Sequence, residues 1–324
     1  MKAFIGHALG SPSSFALEEI KRPVAASGEL LIKVEATSLG FVDPLVMKGL
    51  YQVKPQLPFI PGGEIVGTVC EAVEPNSRFR VGQRIAAWQF GGGLAEFVCV
   101  PEDNAVAVPE ELESPEAAAI LLDYLTAYYG LFDCGELKPG ETLLVTGASG
   151  GVGSAAVRLA NASSAVVAGL ASGREKLAFV SQSGARHAID YRREDWRSDL
   201  NAAVPHGINM VFDPVGGPLF EPAFRSLAKR GRHLVVGFAA DTGIPSLPAN
   251  LPLLKSAALV GVDARYLWQT DKARTRAILS IILDLARTGR IEPTVAARHT
   301  LADAAAAFDA LSDPGRIGKV VICP

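Results

Sequence analysis

The stretch Thr142-Leu143-Leu144-Val145-Thr146-Gly147-Ala148-Ser149-Gly150-Gly151-Val152-Gly153 decides the fold. An apolar run of strand length enters a glycine-rich turn, and the turn opens into a helix-like segment, 154–161. Strand, glycine turn and helix in that order form a site for a pyrophosphate. Unpaired N–H groups and the positive end of the helix dipole point at the anion, while the glycines let the backbone approach it. Aligned on its last four residues, the glycine pattern puts Ala148 in the first glycine place, followed by Gly150 and Gly153, and Ala148 is tolerable there if its φ stays negative. A loop that only packs helix on strand would look similar. The β-rich run that follows at 165–170 completes a strand–helix–strand unit and favours a dinucleotide site.

Working outward, apolar runs at Thr142–Val145, 165–170, 187–189, 209–213, 233–237 and 257–262 alternate with helix-like segments. Six strands with such crossovers predict an α/β fold with a doubly wound parallel sheet of the Rossmann type. Upstream, 30–36 alternates, with Ile32, Val34 and Ala36 on one side and Lys33 and Glu35 on the other. With further strand-like runs at 65–70, Arg84–Trp88 and 96–100 between Gly and Pro punctuation, this predicts a β-rich barrel-like or folded-sheet domain. Ser114-Pro115-Glu116 reads as an N-cap opening an Ala- and Leu-rich helix near the boundary. An amphipathic helix at 273–287, an Ala-rich helix at 302–311 and a strand at Lys319–Cys323 are expected to return to the first domain. The expected division is 1–122 with 265–324, and 123–264.

An NAD site usually carries Asp or Glu near the end of the second strand, to bind the ribose hydroxyls. Here the chain reads Ala171-Ser172-Gly173-Arg174-Glu175-Lys176. Arg174 and Lys176 in a first helical turn are opposed by the helix dipole, so they point to an anion nearby. The 2′-phosphate of NADPH is such an anion, with Ser172 donating a hydroxyl and the two cations supplying charge.

Composition bounds the rest. The 324 residues carry 31 Lys and Arg against 34 Asp and Glu, with no basic block, which argues against nucleic acid and for a small-molecule partner. The start lacks a leader pattern, and the most apolar stretch, 117–132, is interrupted by Asp123, so a soluble cytoplasmic protein without a membrane role is expected. Cys70, Cys99, Cys134 and Cys323 lie far apart and suggest neither a zinc site nor a disulfide framework.

Several further motifs occur in order along the chain. They are Gly40-Phe41-Val42-Asp43, Leu57-Pro58-Phe59-Ile60-Pro61-Gly62-Gly63-Glu64, Val81-Gly82-Gln83-Arg84, Gly92-Gly93-Leu94-Ala95-Glu96, Thr126-Ala127-Tyr128, Val211-Phe212-Asp213-Pro214-Val215-Gly216-Gly217 and Gly318-Lys319-Val320-Val321. With the glycine turn, they resemble the medium-chain dehydrogenase/reductase superfamily, and within it the zinc-independent quinone oxidoreductases related to zeta-crystallin. The resemblance implies a GroES-like catalytic domain beside the Rossmann domain, a homodimer formed through an edge of the nucleotide-binding sheet at 257–262, and NADPH as cofactor. It places Thr126 near the nicotinamide, and Ser149, Gly150, Gly151 and Val152 at the pyrophosphate. It assigns Ser172, Lys176 and Tyr191 to the 2′-phosphate, sets Gly237 and Phe238 at a strand end lining the cofactor site, and puts Lys319 close to it.

Zinc-dependent relatives carry a ligand His in a Gly-His-Glu run, which here is Gly62-Gly63-Glu64, and a ligand Cys earlier than Cys70, so no metal is expected. Quinone reductases of this kind often have Asn where this chain has Gly40 and Tyr where it has Leu45, so the substrate pocket, including Gly40, Phe41, Leu45 and Tyr51, should be reshaped and less polar. Asp43 reads as a structural hydrogen-bonding residue rather than an acid. The reading is hydride transfer from NADPH to a quinone or similar conjugated carbonyl. Protons would come from solvent or from a hydroxyl such as Tyr51, which otherwise only packs. Enoyl or alkenal reduction, and NADPH binding with little turnover, remain as alternatives.

Overall fold

A computed structural model describes residues 1–240 and 242–324, and these form two compact units, Met1–Leu122 with Asp271–Pro324 and Asp123–Thr270. The second unit runs past 264 because the helix Ala264–Thr270 groups with it.

In the first unit the alternating segment forms the long strand Glu29–Leu39, which pairs antiparallel with Glu64–Ala72, Phe97–Pro101 and Lys319–Cys323. Register shifts after Leu31 and Val34 interrupt its ladder with Glu64–Ala72 and add local twist. Leu30, Ile32, Val34, Ile65, Ile85 and Val100 bury one side of this sheet. A second core gathers Phe4, Leu39, Met47, Phe308, Val320 and Ile322. The C-terminal helices, Lys272–Arg287 and Ala304–Leu311, and the strands Val295–Thr300 and Lys319–Cys323 lie in this unit.

The second unit holds six strands, all parallel, in the spatial order His187–Asp190, Val166–Ala171, Thr142–Val145, Ile208–Asp213, Leu227–Val235 and Ala258–Gly261. The order reverses beside Thr142–Val145. Ligands of doubly wound sheets bind at that switch point, outside the carboxyl ends of the strands.

Three local readings need correction. Ser114 is the first helical residue of Ser114–Ala118, with Glu113 at the cap position, and its hydroxyl donates to Glu35 Oε2 at 2.5 Å. The apolar stretch after it splits into Leu121–Tyr128 and a wider π-type turn, Tyr129–Cys134. The fifth strand begins at Leu227, well before 233, because the polar run Lys229-Arg230-Gly231-Arg232 belongs to the sheet despite having no apolar period. Among the described residues no helix is long and apolar enough to cross a membrane.

Candidate functional site

The phosphate turn is built as its sequence implies. Gly147 takes the positive φ of +55°, while Ala148 is fully buried on ordinary backbone, its N–H donating to the Leu170 carbonyl at 3.0 Å. Gly150 is the extended N-cap of the helix Gly151–Ala162. Ser149, Gly150, Gly151 and Val152 retain solvent exposure, as a ligand-facing turn must. Gly153 is required by contact, since a Cβ there would stand 2.1 Å from the Gly147 carbonyl oxygen; one on Gly151 would meet the carboxylate end of Asp123 at 2.0 Å, which the side chain can relieve by turning. The turn thus offers the backbone donors of a helix N-terminus to a dinucleotide pyrophosphate.

At the next strand end, Ala171 pairs with Asp190 across the sheet, and Tyr191 N–H donates to the Ala171 carbonyl. That register brings Ser172, Gly173 and Tyr191 together. Gly173, at φ +85°, caps the helix Arg174–Gln182, whose first turn carries exposed Arg174 and half-buried Lys176. Sequence reasoning missed Asp190 and Arg192 here. Asp190 Oδ2 accepts from Gly173 N–H at 3.3 Å and from Arg192 Nη2 at 2.9 Å, and Oδ1 accepts from Arg192 Nε and N–H. The Arg192 side chain, its backbone N–H and the Gly173 N–H hold the Asp190 carboxyl well below the usual carboxylate range.

A second missed group lies beneath the turn. Asp213 accepts from the Thr146 hydroxyl, from Val215 and Gly216 N–H at 3.0 and 2.9 Å, and from His233 Nε2 at 3.2 Å. Burial opposes its ionisation, yet the His233 and Thr146 side chains and the Gly216 N–H keep its carboxyl below the ordinary range. The carboxylate ties the strand end before Gly147 to the loop that carries Gly216. Gly237 follows the adjacent strand, and Phe238, half exposed, lies near Gly216, where a Cβ would meet its ring at 3.1 Å. Thr126 is half buried on the helix Leu121–Tyr128.

In the first unit a pocket is lined by Gly40, Val42, Asp43, Val46, Phe59, Gly63, Glu64, Trp88, Gln89, Phe90, Gly91 and Leu122. Of the four residues expected at a substrate pocket, Gly40 is in this lining. Phe41 is largely exposed, Leu45 half buried, and Tyr51 half buried with its ring 6.1 Å from that of Phe90. Asp43 accepts from Gly40 N–H at 2.7 Å and Gly62 N–H at 3.2 Å. Burial pushes its carboxyl up, against those donors and the charge of Lys319. Lys319 is itself buried and pairs with Glu64 Oε1 at 2.6 Å, while Glu64 Oε2 accepts from Leu122 N–H. A Cβ on Gly63 would sit 2.2 Å from the Gln89 carbonyl oxygen, so the backbone fills the space a ligand side chain would need there. Among the described residues no three His, Cys, Asp or Glu side chains converge as a metal site, and the four cysteines are free and half buried.

This architecture matches two family models, the alcohol dehydrogenase GroES-like domain over residues 26–110 and the zinc-binding dehydrogenase over 151–280. Quinone oxidoreductase-like protein 2 of Bos taurus is 36% identical over 309 residues, covering 94% of this chain and 88% of its own. A probable oxidoreductase from Mycobacterium abscessus superposes with a TM-score of 0.91 at 32% identity, over 100% of this chain and 99% of that one. The quinone oxidoreductase from Thermus thermophilus, solved also in complex with NADPH, does so at 0.84 and 33%, over the whole of both chains. The chain belongs to the quinone oxidoreductase-like family of the medium-chain dehydrogenase/reductase superfamily.

Proposed function

We propose that the protein is an NADPH-dependent, metal-independent oxidoreductase that passes hydride to a quinone or similar conjugated carbonyl and works as a homodimer. The observation that carries the coenzyme choice is the end of the strand Val166–Ala171. No Asp or Glu ends that strand or forms the turn after it; Ser172 follows it, Tyr191 lies beside it, Arg174 and Lys176 open the next helix, and the carboxylate that the sheet brings near, Asp190, is held by Arg192. The Thermus thermophilus relative, solved with NADPH, supports the same choice. Ser149, Gly150, Gly151 and Val152 would hold the pyrophosphate, with Thr126, Gly237 and Phe238 toward the nicotinamide.

When bound, the reduced nicotinamide supplies the hydride. The chain's own part is to bind, orient and exclude water. Phe59, Trp88 and Phe90 give the first unit's pocket flat apolar walls suited to a conjugated ring. Since Gly63 leaves no room for a ligand side chain, carbonyl polarisation by zinc is not the reading, and acceptors that take hydride without it are favoured. The buried Glu64–Lys319 pair and the doubly hydrogen-bonded Asp43 hold the pocket floor in shape. A proton would come from solvent or from Tyr51, beside Phe90.

The test is NADPH oxidation followed by absorbance with a panel of quinones and enones. Acceptor-dependent oxidation is expected, strongest among conjugated carbonyls; no oxidation with any acceptor would overturn the reading.

A further inference from the structure

The cluster around Asp190 contains a contradiction that the coenzyme reading leaves open. A carboxylate stands beside the position where an extra phosphate is to bind, close enough for Gly173 N–H to donate to it at 3.3 Å. Unmasked, it would repel a phosphomonoester and accept instead from a ribose hydroxyl, the usual arrangement in NAD sites. Arg192 resolves the conflict. Its Nε and Nη2 donate to the two carboxylate oxygens at 3.2 and 2.9 Å, and its own N–H donates to Oδ1 at 3.0 Å.

The same guanidinium reaches the cap of the helix Arg174–Gln182, where Nη2 would lie 3.6 Å from a Cβ on Gly173. The Arg192 side chain is 60% exposed and that of Asp190 18% exposed. Two bonds to Asp190 leave the rest of the guanidinium's five donors for an anion.

Resting on the NADPH reading, we propose that Asp190 and Arg192 together set coenzyme preference: Arg192 contacts the ribose phosphomonoester and at the same time neutralises a carboxylate that would otherwise select the unphosphorylated ribose. Arg192 is thereby a specificity-determining residue, and Asp190 a positioning residue that acts through it. Because Arg192 keeps Asp190 ionised well below its ordinary range, the pair stays formed at neutral and mildly acidic pH.

The experiment measures dissociation constants for NADPH and NADH, and competition by 2′,5′-ADP against ADP, in the wild type, Arg192→Ala, Asp190→Asn and the double variant, with melting temperatures as a folding control. Arg192→Ala should weaken NADPH and 2′,5′-ADP by about 30-fold, as the loss of a charge-assisted contact implies, and leave NADH bound at least as tightly as in the wild type, since the bared Asp190 accepts from a ribose hydroxyl. Asp190→Asn, which loosens the anchor of Arg192, should weaken NADPH by about three- to tenfold, and the double variant should bind NADPH about tenfold better than Arg192→Ala, since no bare carboxylate remains. Equal weakening of both coenzymes by Arg192→Ala would overturn the proposal, as would a double variant no better than Arg192→Ala. Equal binding of the two coenzymes by the wild type would instead defeat the reading on which it rests.

Discussion

Gly153 approaches the Gly147 carbonyl so closely that no Cβ fits between them. Gly153→Ala should therefore open the turn, cost about 1–3 kcal/mol of stability and weaken dinucleotide binding by about tenfold or more. Denaturant unfolding and coenzyme titration check it; unchanged binding would mean that the turn does not hold the pyrophosphate. Gly63→His, which rebuilds the Gly-His-Glu run, should lower the melting temperature and gain no bound zinc on metal analysis, because the Gln89 carbonyl occupies the space. The spacing of the glycines was legible because a turn feeding a helix dictates it locally. Asp190 and Arg192 were not, since their position depends on Ala171 pairing with Asp190 across two strands. Asp43 read correctly as a hydrogen-bonding residue, but Gly62, one of its donors, is brought to it only by the fold.

At the scale of elements, Asp213 joins the strand Ile208–Asp213, the end of Thr142–Val145 and the buried His233 of the next strand. Asp213→Asn should cost about 3–5 kcal/mol at neutral pH, as expected when one member of a buried network is removed. The folded pKa of Asp213 is depressed, so its contribution is complete above the unfolded value of about 3.9 and fades as pH falls through the folded value. The stability gap between wild type and variant should narrow below about pH 4 in denaturant titrations; a gap independent of pH would refute the assignment. The edge strand Ala258–Gly261 leaves Leu259 half exposed, with Leu253 and Leu254 more exposed on the helix before it. If this edge forms the proposed homodimer, the wild type should scatter as a dimer and Leu259→Lys as a monomer, and a variant with the mass of the wild type would remove this edge as the interface. The apolar parallel strands were legible from their runs. The strands Lys2–Ile5, Ala105–Ala107 and Val295–Thr300 were not, because they are short or mix polar residues into the pattern.

For the molecule as a whole, the chain leaves the first unit at Leu122 and returns at Asp271, and its last strand completes the sheet by pairing with Glu29–Leu39. The full six-strand sheet foretold that return, since the remaining segment had no place in it. The buried Glu64–Lys319 pair, which fastens the returning segment beside the pocket, left no sequence signal, because its partners lie at opposite ends of the chain. In the proposed function, the strand end after Ala171 selects a phosphorylated ribose. It is tested most directly by titrating the purified protein with NADPH and with NADH under identical conditions, followed by coenzyme fluorescence. Binding of NADPH tighter by about tenfold or more is the expected result; equal dissociation constants, or no binding of either coenzyme, would contradict it.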